Sequence, residues 1–149
     1  LAHPAEAAVV INGRPDLARA VGAQGVQLGA GDLTVADARR VLGGGWVGRS
    51  VHGVEEAHEA ITEGADYLLL GAVFETATHP NQPGLGLDEL RSVVALGVPV
   101  IAIGGITPER AQSVRDAGAW GVAAIRSLWH VPDSYAAAMA LLAPWSNPV

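Results

Sequence analysis

The chain has no cysteine and no lysine. Without thiols it forms no disulfide, no thiolate nucleophile and no sulfur metal ligand, so cysteine usage marks no redox compartment. All nine basic residues are arginine, which excludes Schiff-base catalysis by an ε-amine and excludes the lysine of a nucleotide-binding P-loop. Aromatic residues are scarce at 5%. The four tryptophans, Trp46, Trp120, Trp129 and Trp145, have no arginine stripe beside them, so they read as packing residues rather than as stacking platforms for bases. A net charge of -6 with no basic cluster argues against DNA, RNA or an anionic membrane as partner. No apolar run is long enough to span a bilayer, and Leu1-Ala2-His3-Pro4 is neither an initiator methionine nor a charged leader before an apolar core. The expected location is the cytoplasm.

What the chain does have is glycine, alanine and short aliphatic residues. Half of its 149 residues are apolar, a composition suited to helices packed closely on a buried parallel sheet. Three times a helix-like segment ends in Gly-Ala, passes a polar or aromatic residue and enters an apolar run: Gly22-Ala23 before Val26, Gly64-Ala65 before Tyr67, and Gly118-Ala119 before Val122. Strands are expected at residues 8–11, Gly25–Leu28, 46–50, Tyr67–Leu70, 99–103 and 122–125. Helices are expected near residues 15–21, 34–42, 55–63, 87–96, 108–117 and 134–142, the second capped by Thr34 or Asp32. Thr107-Pro108-Glu109 supplies a cap, a helix-start proline and an acidic first turn. The longest connection covers residues 71–86, a length that in a compact α/β unit usually marks function.

Alternating strands and helices without a linker or low-complexity tract define one domain over residues 1–149. Two parallel arrangements suit six such pairs: a (β/α)8 TIM barrel lacking its first two β/α units, and an open sheet with helices on both faces. The open sheet should carry a G-x-G-x-x-G turn after a strand, and none is present, so the partial barrel is expected. Its unpaired edges call for a missing N-terminal segment or a homo-oligomer to complete it.

The segments Asn12-Gly13-Arg14-Pro15-Asp16-Leu17-Ala18, Gly25-Val26-Gln27-Leu28-Gly29, Gly48-Arg49-Ser50-Val51-His52, Gly71-Ala72-Val73-Phe74-Glu75-Thr76 and Pro99-Val100-Ile101-Ala102-Ile103-Gly104-Gly105-Ile106-Thr107-Pro108 follow one another in an order and spacing that resembles the thiamine phosphate synthase and TenI superfamily of TIM barrels. The resemblance covers nearly the whole chain. It implies that two further strands precede the segment and carry the basic residues for the acidic end of the substrate. It also implies one of two activities. Synthases join a pyrimidine pyrophosphate to a thiazole phosphate and hold magnesium with two aspartates; here Gly13 stands at the first of those positions and Asp32 at the second. One carboxylate is a poor site for an ion that takes several oxygen ligands. Gln27 and His79 stand where the synthase pattern has His and Lys. Asn12-Gly13-Arg14, Val26-Gln27-Leu28, Gly48-Arg49-Ser50-Val51-His52 and Val73-Phe74-Glu75-Thr76 resemble TenI, the metal-independent thiazole tautomerase, although Ala72 replaces its acid/base histidine. The expected function is therefore a TenI-like tautomerase without a cofactor. A synthase using Mg2+ and a non-catalytic binder of phosphate ligands are the alternatives, and an unrelated phosphosugar isomerase or aldolase fits less well without lysine.

The ligand so implied is a small phosphorylated heterocycle. Its phosphate is expected at Gly104 and Gly105, where glycine lets N–H groups approach an anion without a Cβ in the way. Barrels commonly place phosphate between their last two strand ends, so Ile125, Arg126 and Ser127 are expected to complete the site, with Arg126 adding a bidentate grip. A tight turn and a solvated arginine would leave the same sequence, so the signal depends on the fold. Asn12, Gln27 and Ser50 are expected beside the heterocycle, His52 and His79 as proton carriers, and Glu75 as base or as orienter of an imidazole. No His, Cys or Asp cluster has metal-ligand spacing, so no metal site is expected, with Asp32 the ligand in the synthase alternative.

Overall fold

A computed structural model of the chain describes residues 7–76 and 83–146. Six strands, β1 (Val10–Asn12), β2 (Gly25–Leu28), β3 (Trp46–Val51), β4 (Tyr67–Leu70), β5 (Val100–Ile103) and β6 (Gly121–Ala123), form one sheet in chain order. Every neighbouring pair is parallel. Helices α1 (Pro15–Val21), α2 (Val35–Leu42), α3 (Val54–Thr62), α4 (Gly86–Val94) and α5 (Pro108–Asp116) connect successive strands, and α6 (Arg126–Trp129) and α7 (Ser134–Leu142) follow β6. The sheet curls into part of a barrel, with β1 and β6 as its two edges. Among the described residues no helix is long and apolar enough to cross a membrane.

The repeated Gly-Ala joint has a single physical form. Ala23, Ala65 and Ala119 donate to the carbonyls of Ala18, Ala60 and Val114, while Gly22, Gly64 and Gly118 take φ of 67°, 93° and 92°. That left-handed glycine with a six-to-one hydrogen bond closes each helix and turns the chain into the next strand. At the other end of α2 the choice of cap falls on Thr34, whose hydroxyl accepts from Asp37 N at 3.1 Å. Thr34→Ala should therefore lower stability by about 1 kcal/mol. Urea unfolding should show it as a lower midpoint at unchanged slope.

Strand alternation sorts the side chains. Val26, Leu28, Val47, Val51, Leu68, Leu70, Val100 and Ala102 face the helices, where they pack with Ala18, Val35, Ala38, Ala57, Leu90, Val93 and Val114 in one buried cluster. Gln27, Ser50, Leu69, Ile103 and Ala123 alternate with them and line the concave face.

Three expectations shift. The first strand begins at Val10 rather than residue 8, because the Val9 N–H bonds to the Gln24 side chain at 2.7 Å instead of a strand neighbour. The last strand ends at Ala123, since α6 opens at Arg126. The tryptophans are mostly not packed: Trp46, Trp120 and Trp129 are 52%, 67% and 75% exposed. They sit at a strand start, before an edge strand and on the short α6, where few elements cover them. Trp145 alone fits the packing expectation, its indole N–H donating to Ala119 O at 3.2 Å.

Candidate functional site

The carboxyl ends of β3 to β6 open into a cavity of about 750 Å³, on the rim where barrels place their ligands. Ser50, His52, Glu75, Gly104, Gly105, Ile125, Arg126 and Ser127 all line it. Residues from four separate parts of the sequence thus meet at one site. Asn12 and Gln27 are not in that lining; Gln27 touches it indirectly, its Nε2 donating to Ser50 Oγ at 3.0 Å. His79 lies outside the described residues.

Gly104 and Gly105 leave β5 with φ of 95° and 64°. The segment after β4 lies directly on them, Val73 N donating to Ile103 O at 2.9 Å and Phe74 N to Gly104 O at 3.1 Å. A Cβ on Gly104 would overlap Ala72, and one on Gly105 would stand 2.7 Å from both Glu75 O and Phe74 Cβ. The two glycines are therefore required by the turn and by the neighbouring loop together. Among the described residues nothing accepts from the Gly105 N–H, which suits it to an anion.

Arg110 belongs to the site although no sequence motif marks it. Its place in the first turn after Thr107-Pro108 is the one cue. Arg110 Nη1 donates to Gly105 O at 2.8 Å and the guanidinium lies 4.6 Å from the centroid of Phe74, a cation–π contact that clamps the loop to the turn. Arg110 and Arg126 both line the cavity. Arg110, Arg126 and Glu75 are the formally charged side chains among its described lining residues.

The other expected contacts are altered by their neighbours. Ser127 Oγ donates to Ile106 O at 2.6 Å, so its proton ties the two strand ends together rather than waiting for phosphate. Ile125 is 66% exposed, and its carbonyl accepts from Leu128 and Trp129. Arg126 begins a helix instead of ending a strand. His52 is tethered at the rim: its Nδ1 lies 3.0 Å from Glu56 Oε2, which also accepts from His52 N at 3.0 Å. Arg14 turns to Asp16 at 2.6 Å, and that hydrogen bond holds the Asp16 carboxyl down to about 2. Burial, and after it the charge of Asp66, pushes the Tyr67 phenol up, which keeps it neutral beside Gln27. Arg126→Ala should weaken binding of a phosphate ester by about 1.5 to 3 kcal/mol, the range for hydrogen bonds to a charged group. Calorimetric titration checks this, and unchanged affinity would place the phosphate elsewhere.

Of the two aspartates that the resemblance implies for magnesium, the chain has Asp32 alone. Among the described residues no group of three or more His, Cys, Asp or Glu could hold a metal ion. A Cβ on Gly13 would stand 2.9 Å from Asp32 Oδ1, so a carboxylate at position 13 would share a site with Asp32. With glycine there, one carboxylate remains, and its Oδ2 already accepts from Gly29 N at 2.7 Å. These residues do not fit a two-carboxylate magnesium site.

Fold and site together define a barrel-derived α/β protein with a cavity suited to a phosphorylated ligand. Residues 1–128 match the thiamine monophosphate synthase family, and the chain belongs to that family. It is 46% identical over 147 residues to a thiamine-phosphate synthase of Haloarcula marismortui, covering 95% of this chain and 70% of that protein. A thiamine-phosphate synthase of Thermus thermophilus is 46% identical over 133 residues, covering 88% of this chain and 64% of the relative. Among solved structures, a thiamine phosphate pyrophosphorylase from Pyrococcus furiosus superposes with a TM-score of 0.86 at 37% identity, over 93% of this chain and 67% of its own. The chain thus spans about two thirds of the length of these proteins. The relatives overturn the TenI-like tautomerase expectation, because proteins 46% identical over most of the chain carry the synthase name. The short segments that resemble TenI are outweighed by similarity along the whole chain, and Ala72 offers no exchangeable proton.

Proposed function

We propose that the protein containing this chain is a thiamine-phosphate synthase, joining a pyrimidine pyrophosphate to a thiazole phosphate with release of pyrophosphate. The observation that carries the proposal is the cavity itself, which gathers the Gly104-Gly105 turn, Arg110, Arg126 and Ser50 at one rim in a chain of this family. In such a condensation the new bond forms as pyrophosphate departs, so the main demand is stabilisation of developing negative charge. Preorganised N–H and guanidinium donors meet that demand. The Gly105 N–H and Arg126 bind the phosphate end, while Arg110 fixes the turn that presents that N–H. A proton shuttle is not central here, so His52→Ala should slow the reaction less than Arg126→Ala.

Closure of the barrel across the β1 and β6 edges is part of the proposal, because an unpaired parallel edge beside the cavity leaves it open to water. The partners proposed are small phosphorylated substrates, and the proposed location is the cytoplasm. No step is assigned to magnesium. The test is an assay of the natural protein with both substrates, with and without chelator, measuring thiamine phosphate and pyrophosphate together. Stoichiometric formation of both supports the proposal. Absence of turnover with phosphate-ester binding intact would favour a non-catalytic binder.

A further inference from the structure

We infer that Gln27 is a positioning residue for the anion site, setting the direction of the Ser50 hydroxyl so that its proton points into the cavity. Gln27 is the one buried polar side chain among the described residues. It sits on β2 opposite Gly48 of β3, two residues before Ser50. A Cβ on Gly48 would overlap both Gln27 Oε1 and the Tyr67 ring. The amide therefore lies across the bare Gly48 backbone, backed by Tyr67, with Nε2 reaching Ser50 Oγ at 3.0 Å. An amide NH2 only donates, so the hydroxyl oxygen is the acceptor, and the single hydroxyl proton is left for another partner. Among the described residues no acceptor takes that proton, while Ser50 lines the 750 Å³ cavity. An anionic oxygen bound there would complete a chain from Gln27 N–H through Ser50 O–H to the ligand, and bonds in such a chain polarise one another.

The inference rests on the synthase reading only for its choice of ligand class, a pyrophosphate. Inorganic pyrophosphate is the probe, titrated calorimetrically into the natural protein. Gln27→Glu keeps the shape but replaces the donor by an acceptor, turning the Ser50 proton away from the cavity. It should weaken binding about tenfold, as much as Ser50→Ala, because each removes one hydrogen bond to a charged group. Gln27→Met, uncharged and of similar size, should weaken it several-fold in the Ser50 protein and leave it unchanged in the Ser50→Ala background. That dependence on Ser50 separates positioning from both a packing effect and a through-space charge effect, which would act equally in the two backgrounds. Equal losses in both backgrounds, or wild-type affinity in Ser50→Ala, would overturn the inference while leaving the synthase reading intact. No pyrophosphate binding by the unaltered protein would overturn both.

Discussion

Gly105→Val is expected to lower stability by about 3 kcal/mol and to remove phosphate-ester binding altogether. The backbone at Gly105 has φ of 64°, where an L side chain costs about 1 to 2 kcal/mol and a β-branched one is a clear outlier. The new Cβ would also stand 2.7 Å from Glu75 O and Phe74 Cβ and 3.2 Å from Arg110 Nη1. Two of those three atoms belong to the loop after β4, so relief requires moving a loop that is bonded to the turn through Val73 and Phe74. Forcing extra volume into such a contact costs about 1 to 3 kcal/mol more. For a domain of this size each kcal/mol moves Tm by roughly 2 to 4 °C. Gly121→Ala is the control, since a Cβ there meets nothing within 4 Å. A melting curve for Gly105→Val that overlays the control would show that the loop does not rest on the turn.

Gly13→Asp should make the protein respond to magnesium. Its Cβ would stand 2.9 Å and 3.2 Å from the two oxygens of Asp32, and φ of 66° at this position adds strain, although aspartate tolerates it better than most residues. Without a divalent ion the two carboxylates repel, and stability should fall by about 1 to 3 kcal/mol. A magnesium ion bridging them reverses the sign of that interaction. At an ion concentration a hundredfold above its dissociation constant, the linkage contributes about 2.7 kcal/mol, enough to recover most of the loss. Thermal unfolding with and without magnesium reads both effects, and the unaltered protein should show a much smaller shift. A variant that loses stability but gains no response to the ion would mean that positions 13 and 32 do not share a site. Lowering pH should partly relieve the variant in the absence of metal, since protonating one of two adjacent carboxyls removes the repulsion.

The catalytic expectation was the least legible part of the sequence. His52 and Glu75 do line the cavity, but nothing in the sequence around His52 shows that Glu56, one helical turn onward, takes its ring and its N–H together. Ser127 reads as a phosphate ligand from its place after β6, yet its proton goes to Ile106, a residue 21 positions away. The TenI-like reading came from a few short segments, and such segments weigh less than identity sustained over 147 residues.

By itself the sequence determined the order of the six strands and of the helices between them, though not α6. Six strands in parallel order, the three Gly-Ala joints and the helix starts at Pro15, Thr34 and Pro108 all depend on dihedral preferences and hydrogen bonds within about six residues, whereas the Thr107 side chain makes no cap hydrogen bond. The Gly104-Gly105 turn was visible for the same reason. Only the tertiary structure decided what these glycines pack against, that Arg110 belongs to the cavity, that Gln27 reaches Ser50, and that three of four tryptophans lie open to solvent. Those contacts join the ends of different strands. They follow from register and from the curl of the sheet, which no local pattern along the chain records.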